Sequence, residues 1–336
     1  MRLRYIDLTK GFAIILMLFG HSMIMTNKLH IWIYSFHMPI FFILCGILIN
    51  MREVQNRTRH QLKESIVRRL YTAGIPYFIF GFLLVGFYST LNILAEEPIS
   101  LGTRLFKLFT FQGIDSLWFL PIYVFSDIAA TGIESISNLY VKRSFKYIFM
   151  ALTFILACFF QSYMTTWYFD VIFKVMLGVC FIEVGILISK FKIIEKIPLW
   201  CIFFLLGIGY ILAQVNGEVE MGVAKIGNVA IYFSCAIITS IAITSLFNKF
   251  ESRKWTVLKY LEEFGKNSIV LLVTNNLIIE TIRLLDYKVF GNFLINLDII
   301  GSIILTVFLV GIEWWIIKAS KGLLAPIFGH VRKKSK

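Results

Sequence analysis

Apolar residues in this chain do not alternate with polar ones; they come in long runs, each closed by a short polar stretch. The runs fall at residues 6–25, 31–49, 70–94, 117–136, 145–164, 171–189, 197–214, 224–247, 268–285 and 299–317. A helix of about 20 apolar residues crosses a hydrocarbon core of ~30 Å. In lipid the backbone must satisfy its own hydrogen bonds, which favours helices over open strands. The pattern predicts an all-α, polytopic integral membrane helix bundle of about ten transmembrane helices. A single integral membrane domain fills residues 1–336, with no appended soluble unit and no visible repeat.

The polar stretches orient this bundle. Most of the 33 Lys and Arg fall in the N-terminal segment, in 50–69, 137–146, 190–196 and 248–267, and in the C-terminal tail. The alternate stretches carry only Lys28, Arg104, Lys107 and Lys288, while Lys174, Lys225 and Arg283 fall inside the expected spans. By the positive-inside rule both termini face the cytoplasm. Segment 51–69 reads as an amphipathic cytoplasmic helix running into the third span. Segment 95–116 is the longest external stretch, placed to cover a site between the spans.

Composition agrees: 58% of residues are hydrophobic, 33 are Phe and mean hydropathy is +0.78. These values exclude an ordinary soluble domain. The net charge of +13 would suit nucleic acid, but it flanks spans and no nucleic-acid motif accompanies it. It reads instead as a topology signal and a contact with anionic membrane lipids. The five cysteines lie in apolar runs without a CxxC pair, as buried small hydrophobes do. The opening MRLR resembles a signal peptide, yet Asp7, Lys10 and His21 interrupt the run and no small-residue cleavage site follows. The expectation is a retained first span.

Two ionisable residues stand out because a span makes them costly. His21 lies about 22 Å along the first span at roughly 1.5 Å per residue, and His37 roughly 9 Å into the returning second span. In a core of ~30 Å both reach nearly one level in the outer half, on neighbouring helices. They are expected to share a cavity. As a zinc pair they lack an obvious third ligand, so no metal is expected. No HEXXH, Walker A, GxSxG or dinucleotide glycine motif occurs, and neither histidine opens an HxxxxD motif.

A set of phrases, in order along the chain, carries a resemblance. They are YIDLTKG…GH with Lys10 and His21 as K-x10-H, FHMPIFFILCG around His37, RRL…PY from Arg68, LWFLP from Leu117 and FGKNSIVLLVTNN from Phe264. Together they resemble acyltransferase family 3, and most closely its fucose 4-O-acetylase-like, polysaccharide O-acetyltransferase branch. The resemblance implies a ten-span enzyme that moves an acetyl group from acetyl-CoA, as co-substrate, to a surface or lipid-linked saccharide. Two departures are visible: Cys45 stands where relatives often have Ser, and Asn275 and Asn276 stand where many end the last phrase with His.

On that resemblance His21 is the expected general base, since neutral imidazole can take a proton from a sugar hydroxyl. His37 is the expected second catalytic residue. Lys10, Arg68 and Arg69 sit at the cytoplasmic level, where cationic groups suit the phosphates of CoA. Asp7, three residues before Lys10 on one helix face, and Trp118 are the expected substrate contacts. Tyr123 is expected in the interfacial aromatic belt. Glu280 and Arg283, one turn apart, are expected to pair. The expected protein is a multi-pass enzyme of a bacterial-type plasma membrane. The rival from another class is a transporter or flippase of a lipid-linked glycan, which would also carry charges within spans.

Overall fold

The computed structural model describes residues 3–23, 27–53, 58–93, 100–140, 151–156, 158–159, 166–291, 298–322 and 324–328. Among them there is no β-strand, only one isolated bridge between Glu220 and Lys225. The chain is a helix bundle: α1 (Arg4–Ser22), α2 (Lys28–Phe36), α3 (Pro39–Met51), α4 (Arg59–Ile93), α5 (Leu101–Phe109) and α6 (Phe119–Tyr140). It continues with α7 (Trp167–Lys190), α8 (Ile193–Lys196), α9 (Leu199–Asn216), α10 (Val229–Lys249), α11 (Thr256–Lys266), α12 (Ser268–Phe290) and α13 (Asp298–Ser320). Eight helical stretches among the described residues are long and apolar enough to cross a membrane. They match eight of the expected spans. The protein is a polytopic membrane bundle. Residues 151–156 and 158–159 of the expected fifth span are helical; the rest of that span lies outside the described residues.

The first expected span is present as α1 but is less apolar than those eight, because Asp7, Lys10 and His21 interrupt it. Its surroundings explain why the polar residues are tolerated. α1 touches α2, α3, α10, α11, α12 and α13, and Leu8, Ala13, Ile14, Met17 and Leu18 on it are almost wholly buried. A helix enclosed by protein can turn ionisable residues towards partners and cavities instead of lipid. By contrast α9 rests, among the described residues, mainly on α10 and α2, and exposes Trp200, Phe203, Phe204 and Ile211. Large apolar side chains on an outer helix suit a lipid-facing surface.

Small residues set the closest approaches. A Cβ on Gly11 would overlap the Leu261 carbonyl, and one on Gly265 would overlap the Asp7 carbonyl. α1 and α11 therefore touch backbone to backbone next to Lys10. Apolar tails attract lipid and protein alike, so such contact is a main source of helix association in a bilayer.

Three boundaries differ from the pattern-based expectation. The second span is two helices, broken at His37 and Met38: Pro39 has no N–H to donate back into α2 and instead opens α3. The third span belongs to one 35-residue helix that already begins at Arg59, so the amphipathic segment and the span are continuous. The eighth span starts at Val229, not at residue 224. Gly227 takes a positive φ of 64° and the Asn228 side chain accepts from the amides of Ala230 and Ile231, an N-cap that fixes the start. Lys225 is consequently outside the helix, in an exposed ion pair with Glu218.

Candidate active site

The His21 end of α1 is built by local rules. Asn27 caps α2, accepting from the amides of Leu29 and His30, and this sends α2 back along α1. The last turn of α1 is tied to α13 through Ser22, whose hydroxyl lies 3.0 Å from the Ser302 carbonyl and 2.8 Å from Thr306 Oγ1. From α12, Arg283 donates to the His21 carbonyl at 2.7 Å and pairs with Glu280 Oε1 at 2.9 Å, as expected for those two residues. A cation over a helix C-terminus satisfies its open carbonyls and opposes its dipole.

His21 and His37 are brought together, but through a third residue. Tyr34 Oη lies 3.3 Å from His21 Nδ1, and the Tyr34 and His37 rings are 4.9 Å apart. His30 stacks on the Tyr34 ring at 3.9 Å. His37 is buried and its Nδ1 sits 2.9 Å from the Ile33 carbonyl. A carbonyl only accepts, so in the neutral ring Nδ1 carries the proton and Nε2 the lone pair.

His21 borders a cavity of about 620 Å³. Its wall carries Trp118, Trp167, Tyr88, Asp115, Asp170, Lys174, Glu220, Asn276, Glu280 and Arg283. Several of these are already partnered. Lys174 pairs with Asp170 at 2.7 Å, donates to the Gly222 carbonyl and lies over the Trp118 ring. Tyr88 donates to Asp115 at 2.6 Å. Gly113 has a φ of 74°, and a Cβ there would meet the Trp118 backbone, so a glycine is needed where the chain turns into the cavity wall. Aromatic faces beside carboxylates, several of them held by Lys174, Arg283 and Tyr88, make a polar, ring-accommodating site. Lys107, Gln112 and Asp115 bring the segment after residue 100 to this wall, where a covering loop was expected.

The other end of α1 has its own space. A cavity of about 490 Å³ is lined by Asp7, Lys10, Arg52, Lys266 and Asn267. A smaller one of about 140 Å³ continues along α1, between Lys10, Ile14, Met38, Phe41, Arg69, Tyr123 and Asp127. Lys10 and His21 stand on one unbroken helix, about 16 Å apart at 1.5 Å per residue. α11 closes this end: Arg4 bonds to Glu262 at 2.8 Å and Lys266 to Glu262 at 2.5 Å. Burial opposes ionisation of Glu262, but the bonds from Lys266 and Arg4 outweigh it and lower its pKa.

The predicted site residues thus divide. Trp118 shares the wall with His21; Asp7 and Lys10 share the opposite cavity. Arg69 reaches the small space but is held by Asp127 at 2.9 Å and by Thr131 at 3.0 Å. Arg68 is exposed on α4 and borders none of these cavities. Tyr123 is no belt residue. It packs on Phe42 and Phe119 and reaches Cys45, which also meets Asp127, because its helix face points into the bundle. Sequence reasoning missed Tyr34 and His30; both lie within seven residues of His37 in α2, and Tyr34 is one turn before it, the spacing that brings side chains together. Lys174, a charge within a span, pairs with Asp170 at i and i+4, a spacing that is readable in the sequence.

No curated protein and no solved structure matches the chain. A match to a family does exist, and it covers every element that builds the two ends of α1. The family model described as an acyltransferase domain matches residues 3–318, and the chain therefore belongs to acyltransferase family 3.

Proposed function

We propose that this membrane acyltransferase is an O-acetyltransferase, moving an acetyl group from acetyl-CoA to a hydroxyl of a surface or lipid-linked saccharide. On this reading it is a ten-span protein of a bacterial-type plasma membrane, with both termini cytoplasmic. The observation that carries the reading is the division of α1. A cationic cavity surrounds Lys10 at one end, and an aromatic, polar cavity borders His21 at the other. Phosphates suit the first; a sugar ring with many hydroxyls suits the second, where Trp118 and Trp167 offer faces and Asp115, Asp170 and Glu220 offer acceptors.

His21 is the general base of the proposed reaction. Its Nε2 takes the proton from the acceptor hydroxyl as the oxygen attacks the thioester carbonyl. The new C–O ester bond forms, the C–S bond breaks, and the proton passes from His21 to the departing CoA thiolate. His37 supports the step from behind Tyr34. Lys10 anchors the donor phosphates. Arg69, tied to Asp127, lines the way between. The residues need no metal for this step.

The test is proton NMR of surface polysaccharide from a deletion strain complemented with wild type or with His21→Ala at equal membrane abundance. O-acetyl signals lost on deletion, and restored by wild type alone, support the reaction and the base. Restoration by the variant removes His21 from the chemistry. If no strain shows an acetyl change while glycan export fails, the lipid-linked glycan is being moved and not modified, and the proposal falls.

A further inference from the structure

The groups around His21 outside the reacting set single out one side chain. Tyr34 has three close neighbours: the His30 ring stacks on it at 3.9 Å and 26°, the His37 ring lies at 4.9 Å, and α1 packs against it. On α1 the residue facing the ring is Gly20, where a Cβ would come within 2.8 Å of Tyr34 Cε2. A glycine next to His21 thus opens the seat for the ring. The Tyr34 hydroxyl lies 3.3 Å from His21 Nδ1. His21 borders the large cavity and Tyr34 does not.

From this we infer that Tyr34 is a positioning residue: its oxygen accepts from His21 Nδ1–H and so keeps the Nε2 lone pair available to the cavity. The inference rests on the reading of His21 as base. The chemistry is tautomeric. If Nδ1 accepted from Tyr34, Nε2 would carry the proton and could not take another from a hydroxyl. With Nδ1–H donating, Nε2 accepts the proton of the attacking hydroxyl. The resulting imidazolium still donates to Tyr34, and the contact strengthens as charge forms. His30 and His37 act on this contact only by packing against the ring. No proton needs to leave Tyr34, and the balance of the step is unchanged.

The variant Tyr34→Phe keeps the ring, its stack and its fit against Gly20, and removes only the hydroxyl. The assay uses membranes of the deletion strain carrying wild type or variant, with radiolabelled acetyl-CoA, reading alkali-labile acetyl in the glycan fraction. Thermal unfolding of the purified proteins is followed in parallel. The expected result is a fall in maximal rate of roughly tenfold or more, part of the ~10²–10⁴ that a well-placed base contributes. KM for acetyl-CoA should stay within about twofold, since uniform binding is untouched, and Tm should not move. A maximal rate equal to wild type overturns the inference and leaves the acetyltransferase standing. A lowered Tm with a raised KM makes Tyr34 a packing residue and also overturns it. Wild-type membranes without any transfer would remove the functional reading, and this inference with it.

Discussion

Arg69 and Asp127 form an ion pair inside the bundle, and removing one partner should cost more than removing both. Arg69 Nε lies 2.9 Å from Asp127 Oδ2, with side-chain exposures of 18% and 10%. Arg69 also donates to Thr131 Oγ1 at 3.0 Å. Breaking a buried pair by deleting one member leaves the other charge uncompensated and costs about 3–5 kcal/mol, whereas replacing both with apolar groups is often nearly neutral. Here the pair borders a cavity of about 140 Å³, so some water relieves the surviving charge. The expectation is therefore at the low end, about 3 kcal/mol for Asp127→Leu or Arg69→Met alone. For the double variant it is under about 1 kcal/mol. The assay is a double-mutant cycle by reversible unfolding in mixed micelles with a denaturing detergent. A coupling energy of about 5 kcal/mol, the sum of the two single losses less that of the double variant, would agree with the geometry. Single effects that simply add would refute it, showing that the pair is solvated and contributes little.

Two further outcomes follow from the Lys10 end. Lys10→Ala should raise KM for acetyl-CoA about tenfold, the loss of one charge-assisted phosphate contact of ~1.5 kcal/mol, while Arg68→Ala should leave it within twofold; steady-state kinetics on membranes would check both. The clasp of α1 by α11 should weaken in acid. Glu262 has a lowered pKa in the fold, so its contribution is present above its ordinary value of 4.5 and is lost as pH falls through the lower, folded value. Between pH 5 and 3 the Tm of wild type should drop more than that of Glu262→Gln, which has no carboxylate to protonate; equal slopes would refute the assignment.

The polytopic fold was legible because a bilayer leaves few solutions to a long apolar run, and eight such runs reappear as helices. Boundaries were less legible where side-chain geometry overrides hydropathy. Asn228 begins α10 five residues late because its cap, not the apolar Ala224, fixes the first turn. Pro39 splits the second span although Met38 and Ile40 beside it are apolar. For the site, K-x10-H gave the two ends of α1 directly, since a helix turns residue spacing into distance. What spacing cannot give is which residue of another helix stands behind a histidine. Tyr34 needed the return angle of α2, set by Asn27, and the missing side chain of Gly20. Arg69 carried a charge that suited phosphate equally well, and only the packing of α4 on α6 revealed Asp127 as its partner.

The distribution of polarity along α1 also bears on how the proposed reaction would be divided across the bundle. Asp7, Thr9 and Lys10 lie in its first half and His21 and Ser22 at its end; from Gly11 to Gly20 the helix has no polar side chain. Thr9 satisfies itself by donating to the Tyr5 carbonyl at 2.8 Å. The middle of α1 therefore offers nothing to a nucleotide, and the space beside it, about 140 Å³, is well below the ~300 Å³ at which pockets for drug-sized ligands begin. The cavity at Lys10, about 490 Å³, is not. On the proposed reading the nucleotide stays with Lys10, and only the narrow thioester arm passes Phe41 and Phe119 towards His21. The apolar middle then has a chemical use: it keeps water away from the thioester until an acceptor hydroxyl is in place. Enlarging it with Phe41→Ala should raise acetyl-CoA hydrolysis relative to transfer, measured as CoA thiol released per acetyl recovered in glycan. An unchanged ratio would mean that the arm takes another route.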